Sequence, residues 1–309
     1  VILTVTLNTA LDLTYRVRSL RPHTSHRVLG VAERPGGKGV NAARVLAALG
    51  HEVTVTGFAG GGTGRAVRDR LADTPGVTDA LVPVAGATRR TIAVVDELSG
   101  DTTQLNEPGP QIRPTEWGAF LDRYDELLPA ASAVALCGSL PPGVPVGAYA
   151  NLVRGARSAG VPVLLDTSGE PLRRGVAARP DIIKPNAEEL AELTGSHEPS
   201  RATRDARRRG AHAVVASLGP QGLLAVTPEG RWRALPPTRV HGNPTGAGDS
   251  AVAGLLSGLV EQLPWPARLS RAIALSTATV RAPVAGEFDR ATYEELLGRV
   301  TVAGDTSAA

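Results

Sequence analysis

Three stretches of this sequence set a glycine turn or a cap beside groups that can handle phosphate, a proton or a metal. The first is Asn243-Pro244-Thr245-Gly246-Ala247-Gly248-Asp249-Ser250, followed by the apolar run Ala251 to Val260. Gly246 and Gly248 let the backbone approach a ligand closely. A helix starting there points its unbonded N–H groups at the same spot, which makes an anion site. Asp249 then suits a base that takes a proton from a hydroxyl while the amides around Gly246, Ala247 and Gly248 hold a transferred phosphoryl group. The same residues would also serve as an ordinary Asp helix cap after a glycine turn. The second stretch is Gly36-Gly37-Lys38-Gly39-Val40-Asn41. It is no Walker A loop, because Gly39 rather than Ser or Thr follows Lys38. It fits a phosphorylated or polyhydroxylated ligand, or a simple tight turn. The third is Lys184-Pro185-Asn186-Ala187-Glu188-Glu189. Asn186 and Glu189 are three apart and share a face in a first helical turn. They suit water held on Mg²⁺, a capping box, or both at once.

Weaker signals accompany these. Ser217-Leu218-Gly219-Pro220-Gln221-Gly222 follows a strand and resembles a hairpin turn. Gly138-Ser139-Leu140-Pro141-Pro142-Gly143 lies at the C-terminal end of a strand, where ligands of open α/β sheets sit. The glycine-rich run Gly57 to Gly64 reads as a loop. Of the 33 basic residues, 31 are arginine, and the two lysines, Lys38 and Lys184, both stand inside the motifs above. A lysine ammonium is a compact point charge that an arginine fork does not replace.

The elements that must position these residues alternate. Apolar, β-rich runs recur at Ile2 to Leu7, Val53 to Phe58, Ala133 to Cys137, Val161 to Asp166, Asp181 to Ile183 and Ala213 to Leu218. Helical patterns lie at Val40 to Leu49, Pro114 to Leu128, Val146 to Ala159, Ala187 to Leu193 and Arg201 to Arg209. This order predicts an α/β fold, a doubly wound and mainly parallel sheet with helices on both faces. Leu13 to Val31 and Thr91 to Asn106 break the rhythm as strand–turn–strand, with Ser99-Gly100-Asp101 as a hairpin turn. They are expected to form one small β-sheet lid with no helix covering it. From Ala247 onward the chain reads as helical, with Pro264 and Pro266 between two long helices and a last helix at Asp289 to Val300. The tail from Ala303 to Ala309 is expected to fray. A single domain spanning 1–309, with lid segments about 13–31 and 91–106, accounts for the pattern.

Composition excludes several classes. With 42% hydrophobic and 20% charged residues the chain is globular rather than disordered. A net charge of +3 is too small to imply nucleic acid or a membrane surface as partner. The basic run Arg204 to Arg209 reads as a solvated helix face. The six histidines are scattered, so no metal-ligating histidine is assigned. The single cysteine, Cys137, excludes an internal disulfide and fits a reducing, cytoplasmic compartment. No apolar run approaches the roughly 18 residues of a membrane span. No basic segment precedes Val1-Ile2-Leu3, so no signal peptide is expected.

Taken in order, Thr6-Leu7-Asn8-Thr9-Ala10-Leu11-Asp12, Gly-Gly-Lys-Gly-x-Asn, Gly-Ser-Leu-Pro-Pro-Gly, Lys-Pro-Asn-x-x-Glu, Ser-Leu-Gly-Pro-Gln-Gly and Thr-Gly-Ala-Gly-Asp-Ser resemble the PfkB (ribokinase-like) carbohydrate kinases. Within them the chain is most similar to the 1-phosphofructokinase, tagatose-6-phosphate kinase and minor 6-phosphofructokinase group. The resemblance covers residues 2 to 300. It implies a ribokinase-like core, a β-sheet lid used for dimerisation, and ATP with Mg²⁺. Asp249 then matches the catalytic base, and Gly246, Ala247 and Gly248 the anion hole. Asp12, Gly37, Lys38, Asn41 and Ser139 match sugar-phosphate contacts. Arg89 matches a lid arginine that reaches the substrate's phosphate, and Arg27 an assisting lid cation. Lys184, Asn186, Ser217, Gly219 and Gly222 match the nucleotide side, with Glu189 reaching the metal through water. Thr9 stands where the family usually has Pro. Arg90-Thr91-Ile92 stands where many 1-phosphofructokinases carry Asn two residues after the lid arginine.

The resemblance implies ATP-dependent phosphorylation of a primary hydroxyl on a ketohexose phosphate. Fructose 1-phosphate is the first choice of substrate, with tagatose 6-phosphate and fructose 6-phosphate as alternatives. Lys38, Arg89 and Arg27 offer more cations than a neutral sugar needs, each phosphate contact contributing roughly 1.5–3 kcal/mol. The partners implied are the sugar phosphate and a second copy of the chain joined through the lid. A non-catalytic sugar-phosphate sensor on the same fold is the alternative of another class, and Asp249 argues against it.

Overall fold

The computed structural model describes residues 1–238, 240, 244–282 and 284–305. Its first half runs β1 (Ile2–Thr6), β2 (Ala10–Val17), β3 (Gly30–Gly36), α1 (Lys38–Ala48), β4 (Val53–Gly60), α2 (Gly61–Ala72), β5 (Val77–Asp79), β6 (Val82–Val84), β7 (Arg89–Asp96) and β8 (Thr102–Asn106). After these come α3 (Pro114–Leu127), β9 (Ala133–Cys137), α4 (Ala148–Ser158), β10 (Val163–Asp166), α5 (Gly169–Ala177), β11 (Ile182–Ile183), α6 (Ala187–Thr194) and α7 (Pro199–Arg208). The last elements are β12 (Ala213–Ser217), β13 (Leu223–Thr227), β14 (Gly230–Leu235), α8 (Ala247–Val260), α9 (Trp265–Thr279), α10 (Arg290–Leu297) and β15 (Thr301–Asp305).

The large sheet has the order β15-β14-β13-β12-β11-β10-β9-β1-β4-β5, with β6 added beside β4. Its centre is parallel, as the apolar runs joined by helices require. The β13–β15 edge is antiparallel. Strand alternation feeds two cores. Ile2, Ala133, Ala135 and Leu164 face a layer with α1, α8 and α9. Leu3, Val5, Val134, Leu136 and Leu165 face a layer with α3 to α7. This is the doubly wound, mainly parallel α/β architecture expected from the sequence. Among the described residues no helix is long and apolar enough to cross a membrane.

The small sheet has the order β3-β2-β7-β8, so both strand–turn–strand segments pair as one unit. Its strands begin earlier than expected, at Ala10 and Arg89. Register gives the sheet two unlike faces. Leu13 stands opposite Glu33 on one side and Ile92 on the other, and Ile92 opposite Leu105. That face is mostly apolar. The neighbouring positions Asp12, Arg89, Thr91 and Gln104 fall on the other, polar face.

The glycine-rich run Gly57 to Gly64 is not a loop. It ends β4 and opens α2, whose Val67 and Leu71 are buried four apart. The expectation that no helix covers the lid fails for the same reason. Leu11 and Leu13 belong to the same core cluster as Val67 and Leu71, and Arg70 of α2 pairs with Glu33 of β3. The tail is also more ordered than expected, since Ala303 and Gly304 pair with Arg233 and Trp232 in β15. Residues 306–309 lie outside the described set. The helix α5 and the short strands β5, β6, β13 and β14 carry no periodicity long enough to mark them.

Candidate active site

The site lies beyond the C-terminal ends of the parallel strands β1, β9, β10 and β12, where an open α/β sheet leaves a crevice. Helix α8 enters it through Gly246, which adopts a left-handed φ of 83° as N-cap, a conformation that favours glycine. Asp249 is therefore the third residue of the helix, and the N–H groups of Gly248 and Asp249 have no acceptor within it. The motif's first residue, Asn243, lies outside the described residues. Asp249 is buried, and its Oδ2 accepts a hydrogen bond from Asn41 Nδ2 at 2.9 Å. Burial raises the Asp249 pKa to about 6, assisted by the nearby Asp166 carboxylate and opposed by Lys38, the Asn41 bond and Lys184. Such a value suits a general base at neutral pH.

Asn41 reaches Asp249 because α1 starts at Lys38, one residue after Gly37 with its φ of 106°. The same start places Lys38 beside β10. Lys38 Nζ lies 3.4 Å from Asp166 Oδ2, and Lys184 Nζ lies 3.4 Å from Asp166 Oδ1. The two lysines of the chain thus bracket one carboxylate that is only 1% exposed. Asp166 holds the Lys38 ammonium well above its ordinary range. Neither Asp166 oxygen accepts a hydrogen bond among the described residues.

These groups line one cleft of about 850 Å³, which Lys38, Asp166, Lys184, Asn186, Glu189, Ser217, Gly246, Gly248 and Asp249 share with the lid hairpin. Gly100, Asp101, Thr102 and Gln104 form its far wall, and Gln104 Nε2 donates to Thr245 Oγ1 at 3.1 Å. A second recess of about 460 Å³ adjoins it, lined by Gly219, Gly222, Ala247, Leu223, Ile273 and Thr277. Asn186, Ser217 and Gly248 border both. The adjoining recess is the more apolar one, which suits a flat heterocycle, and the first cleft suits its phosphates.

Asn186 and Glu189 form the capping box. Glu189 N donates to Asn186 Oδ1 and Asn186 N to Glu189 Oε2, both at 2.8 Å. The cap aims the Glu189 carboxylate along the cleft wall. No cluster of three ligating side chains exists among the described residues. Mg²⁺ bound mostly by substrate phosphates and water, with one carboxylate nearby, fits that donor set.

The sugar-side residues gather at the other end of the Asn41–Asp249 bond. Asn8 Nδ2 donates to Ser139 Oγ at 3.0 Å, and Arg89 Nε donates to the Asn8 carbonyl at 3.1 Å. Asn8 Oδ1 and Asn41 Oδ1 are buried acceptors with no hydrogen-bond partner among the described residues, which suits them to the hydroxyl groups of a ligand. Burial raises the Asp12 pKa to about 6, against the pull of Arg89. Arg27 stands apart, exposed in the connection between β2 and β3 and outside the cleft lining. Asp166, Asn8 and Gln104 join the site without having been marked as site residues by the sequence. For Asp166 a signal existed, a lone acid ending an apolar parallel strand.

A doubly wound α/β core, a glycine-led helix carrying a buried carboxylate and a cleft lined by both lysines form the frame of a sugar kinase, a phosphotransferase with an alcohol acceptor. The sequence pattern of the pfkB family carbohydrate kinases matches residues 4–290, and the chain belongs to that family. Among solved structures it is similar to phosphofructokinase-2 from Escherichia coli, with 28% identity, 96% of this chain and 98% of that chain covered, and a TM-score of 0.89. It is also similar to a possible 1-phosphofructokinase from Thermotoga maritima, with 27% identity, 98% and 99% covered, and a TM-score of 0.88. The Escherichia coli protein has been solved with fructose-6-phosphate and in a tetrameric inhibited form.

Proposed function

We propose that this chain, as a single kinase domain with its lid, transfers the γ-phosphoryl group of ATP to a primary hydroxyl of a ketohexose phosphate. Fructose 1-phosphate is the substrate and fructose 1,6-bisphosphate the product. The observation that carries this is Asp249, a buried carboxylate raised to about 6, held by Asn41 at the start of α8 and facing Lys38. Asp249 takes the proton of the attacking hydroxyl. The N–H groups of Gly248 and Asp249 and the ammonium groups of Lys38 and Lys184 stabilise charge on the phosphoryl group. Asn8, Asn41 and Ser139 bind the sugar's hydroxyls. Asp12 supports them from the lid. Asn186, Ser217, Gly219 and Gly222 border the nucleotide. When bound, Mg²⁺ neutralises phosphate charge, and Glu189 would hold it through water. Fructose 6-phosphate is the second reading, favoured by the likeness to phosphofructokinase-2. The deciding experiment is initial rates with ATP against fructose 1-phosphate, tagatose 6-phosphate, fructose 6-phosphate and free fructose. The highest kcat/KM on free fructose would overturn the choice of a phosphorylated acceptor.

Arg89 supports a clamp on the existing phosphate. It shares the lid's polar face with Asp12 and is tethered through the Asn8 carbonyl and the Glu107 carbonyl, at 3.1 and 3.3 Å. Arg89→Ala is expected to raise KM for the sugar phosphate at least tenfold, the equivalent of about 1.4 kcal/mol, and to leave KM for ATP within twofold. Equal changes in both constants would exclude the clamp.

Glu189→Gln keeps the capping geometry, because glutamine also accepts at N3. It is expected to raise the Mg²⁺ concentration for half-maximal rate more than it raises the sugar KM. An unchanged Mg²⁺ titration would leave Glu189 as a cap alone.

The lid's apolar face supports a homodimer. Helix α2 covers the end near Leu11 and Leu13, while Val31 and Leu105 on the same face remain 60% and 58% exposed. A second copy laid lid against lid would bury them, and exposed sheet faces of this kind favour association. Sedimentation at micromolar concentration is expected to show a dimer that Leu105→Asp weakens. A monomer in the unsubstituted chain would exclude it.

A further inference from the structure

A second concave site lies at the opposite end of the sheet from the cleft. Its walls carry Arg201, Arg204, Arg207 and Arg208 of α7, Arg157 from the last turn of α4, Arg179 after α5, and Arg231 of β14. The recess is open to solvent and has a volume of about 940 Å³, within the range of small-molecule sites. Strand β12 separates the two places, running from Ala213, next to His212 of this recess, to Ser217 of the cleft. That is roughly 15 Å at about 3.3 Å per residue.

Charge is concentrated here. Among the described side chains of the lining, seven arginines face one carboxylate, Asp205. Asp205 pairs with Arg208 and lies 3.9 Å from Arg201. Six positive charges therefore stay uncompensated by the lining, while the whole chain sums to +3. The remainder of the molecule is thus net negative, and its positive sign comes from this recess.

Several of these arginines are also held in place by neutral acceptors that do nothing for the charge. Arg207 Nε donates to the His212 carbonyl and Arg204 Nε to the Ser200 carbonyl, each at 3.1 Å. Arg157 donates to the carbonyl of Arg179. Arg179 directly follows the α5 C-cap Ala178 and adopts the left-handed region, at a φ of 64°, as residues there commonly do where a helix ends.

We propose that this recess binds a small, multiply charged phosphate compound, one bearing at least two phosphate groups. Guanidinium forks match phosphate oxygens in bidentate pairs. A single phosphate would leave most of the mutual repulsion in place, whereas three or four negative charges would offset it. Nucleic acid fits less well, because among the described residues no phenylalanine, tyrosine or tryptophan lines the recess, and His212 is its one ring for stacking a base. Two sources share this chemistry, a nucleoside triphosphate and a sugar bisphosphate.

Inorganic tripolyphosphate, titrated calorimetrically into the 309-residue chain, is the test. To silence the cleft, the titration is run on Lys38→Ala, and then on Lys38→Ala combined with Arg204→Gln and Arg231→Gln. The recess predicts one equivalent bound in the first and at least tenfold weaker binding in the second. Arg204→Gln/Arg231→Gln alone should keep wild-type kinase rates at saturating substrates, which shows that it folds. Displacement of tripolyphosphate by ATP or by fructose 1,6-bisphosphate identifies the source. Unchanged affinity after the two arginine substitutions would overturn the proposal. So would displacement by neither compound at millimolar concentration, or tighter binding of a 12-nucleotide RNA than of tripolyphosphate.

Discussion

Replacing Asp249 by alanine is expected to lower kcat roughly 10²–10⁴-fold, the usual worth of a positioned general base, and to leave ATP affinity nearly unchanged. The carboxylate is held by Asn41 rather than by a cation in direct contact, so its loss removes a proton acceptor without dismantling the phosphate cleft. A variant retaining more than about a tenth of wild-type kcat would exclude Asp249 as the base. The pH dependence follows with a definite sign. The folded pKa of about 6 lies above the ordinary value of 3.8, chiefly because burial disfavours the charged form. Asp249 must be ionised to accept a proton, so kcat/KM is expected to rise with pH through about 6 and then level. Stability runs the other way. A raised carboxylate pKa contributes stability that is fully present below the unfolded pKa near 4 and is lost as pH rises through 6. Asp249→Asn is therefore expected to gain thermal stability over wild type at pH 8 and not at pH 4. The residue would then be kept at a cost in stability for the sake of chemistry.

How much of this was legible in the sequence differs by residue. The parallel core was, because apolar runs such as Ala133 to Cys137 are buried on both faces and stand out from their surroundings. The glycine turns before α1 and α8 were legible too, since both require φ values that favour glycine. Helix α2 was hidden by its own glycines, Gly61, Gly62 and Gly64, which mimic a loop. Missing α2 also left the lid without a cover, although Leu11 and Leu13 pack in the core it shares. The strand β15 was illegible because its pairing with β14 joins positions about seventy residues apart. Gln104 was beyond reach for a similar reason, as its bond to Thr245 spans 141 positions. The two lysines, by contrast, were conspicuous in an arginine-rich chain. Their shared partner was not, because Asp166 lies far from Lys38 in sequence and meets it only through the parallel register of β1, β9 and β10.

That shared partner carries the second large expected effect. Asp166→Asn keeps the volume of the side chain and deletes its charge. Lys184 is 4% exposed, so the substitution leaves a buried ammonium with its carboxylate gone, which costs roughly 3–5 kcal/mol of stability. Lys38 is less affected in stability, because 41% of its side chain reaches solvent, but it loses the group that fixes its direction. Both cations then repel each other across the site, and kcat/KM is expected to fall at least a hundredfold. Asp249 should respond as well. Asp166 is one of the causes raising its pKa, so removing that negative charge is expected to shift the acidic limb of the pH profile below 6. Phosphates entering the cleft would supply the missing negative charge between the lysines. ATP is therefore expected to raise the melting temperature of Asp166→Asn by more than it raises that of the wild type. An Asn variant as stable as wild type, with an unmoved pH limb and no extra protection by ATP, would show that the lysines are positioned by something other than the Asp166 charge.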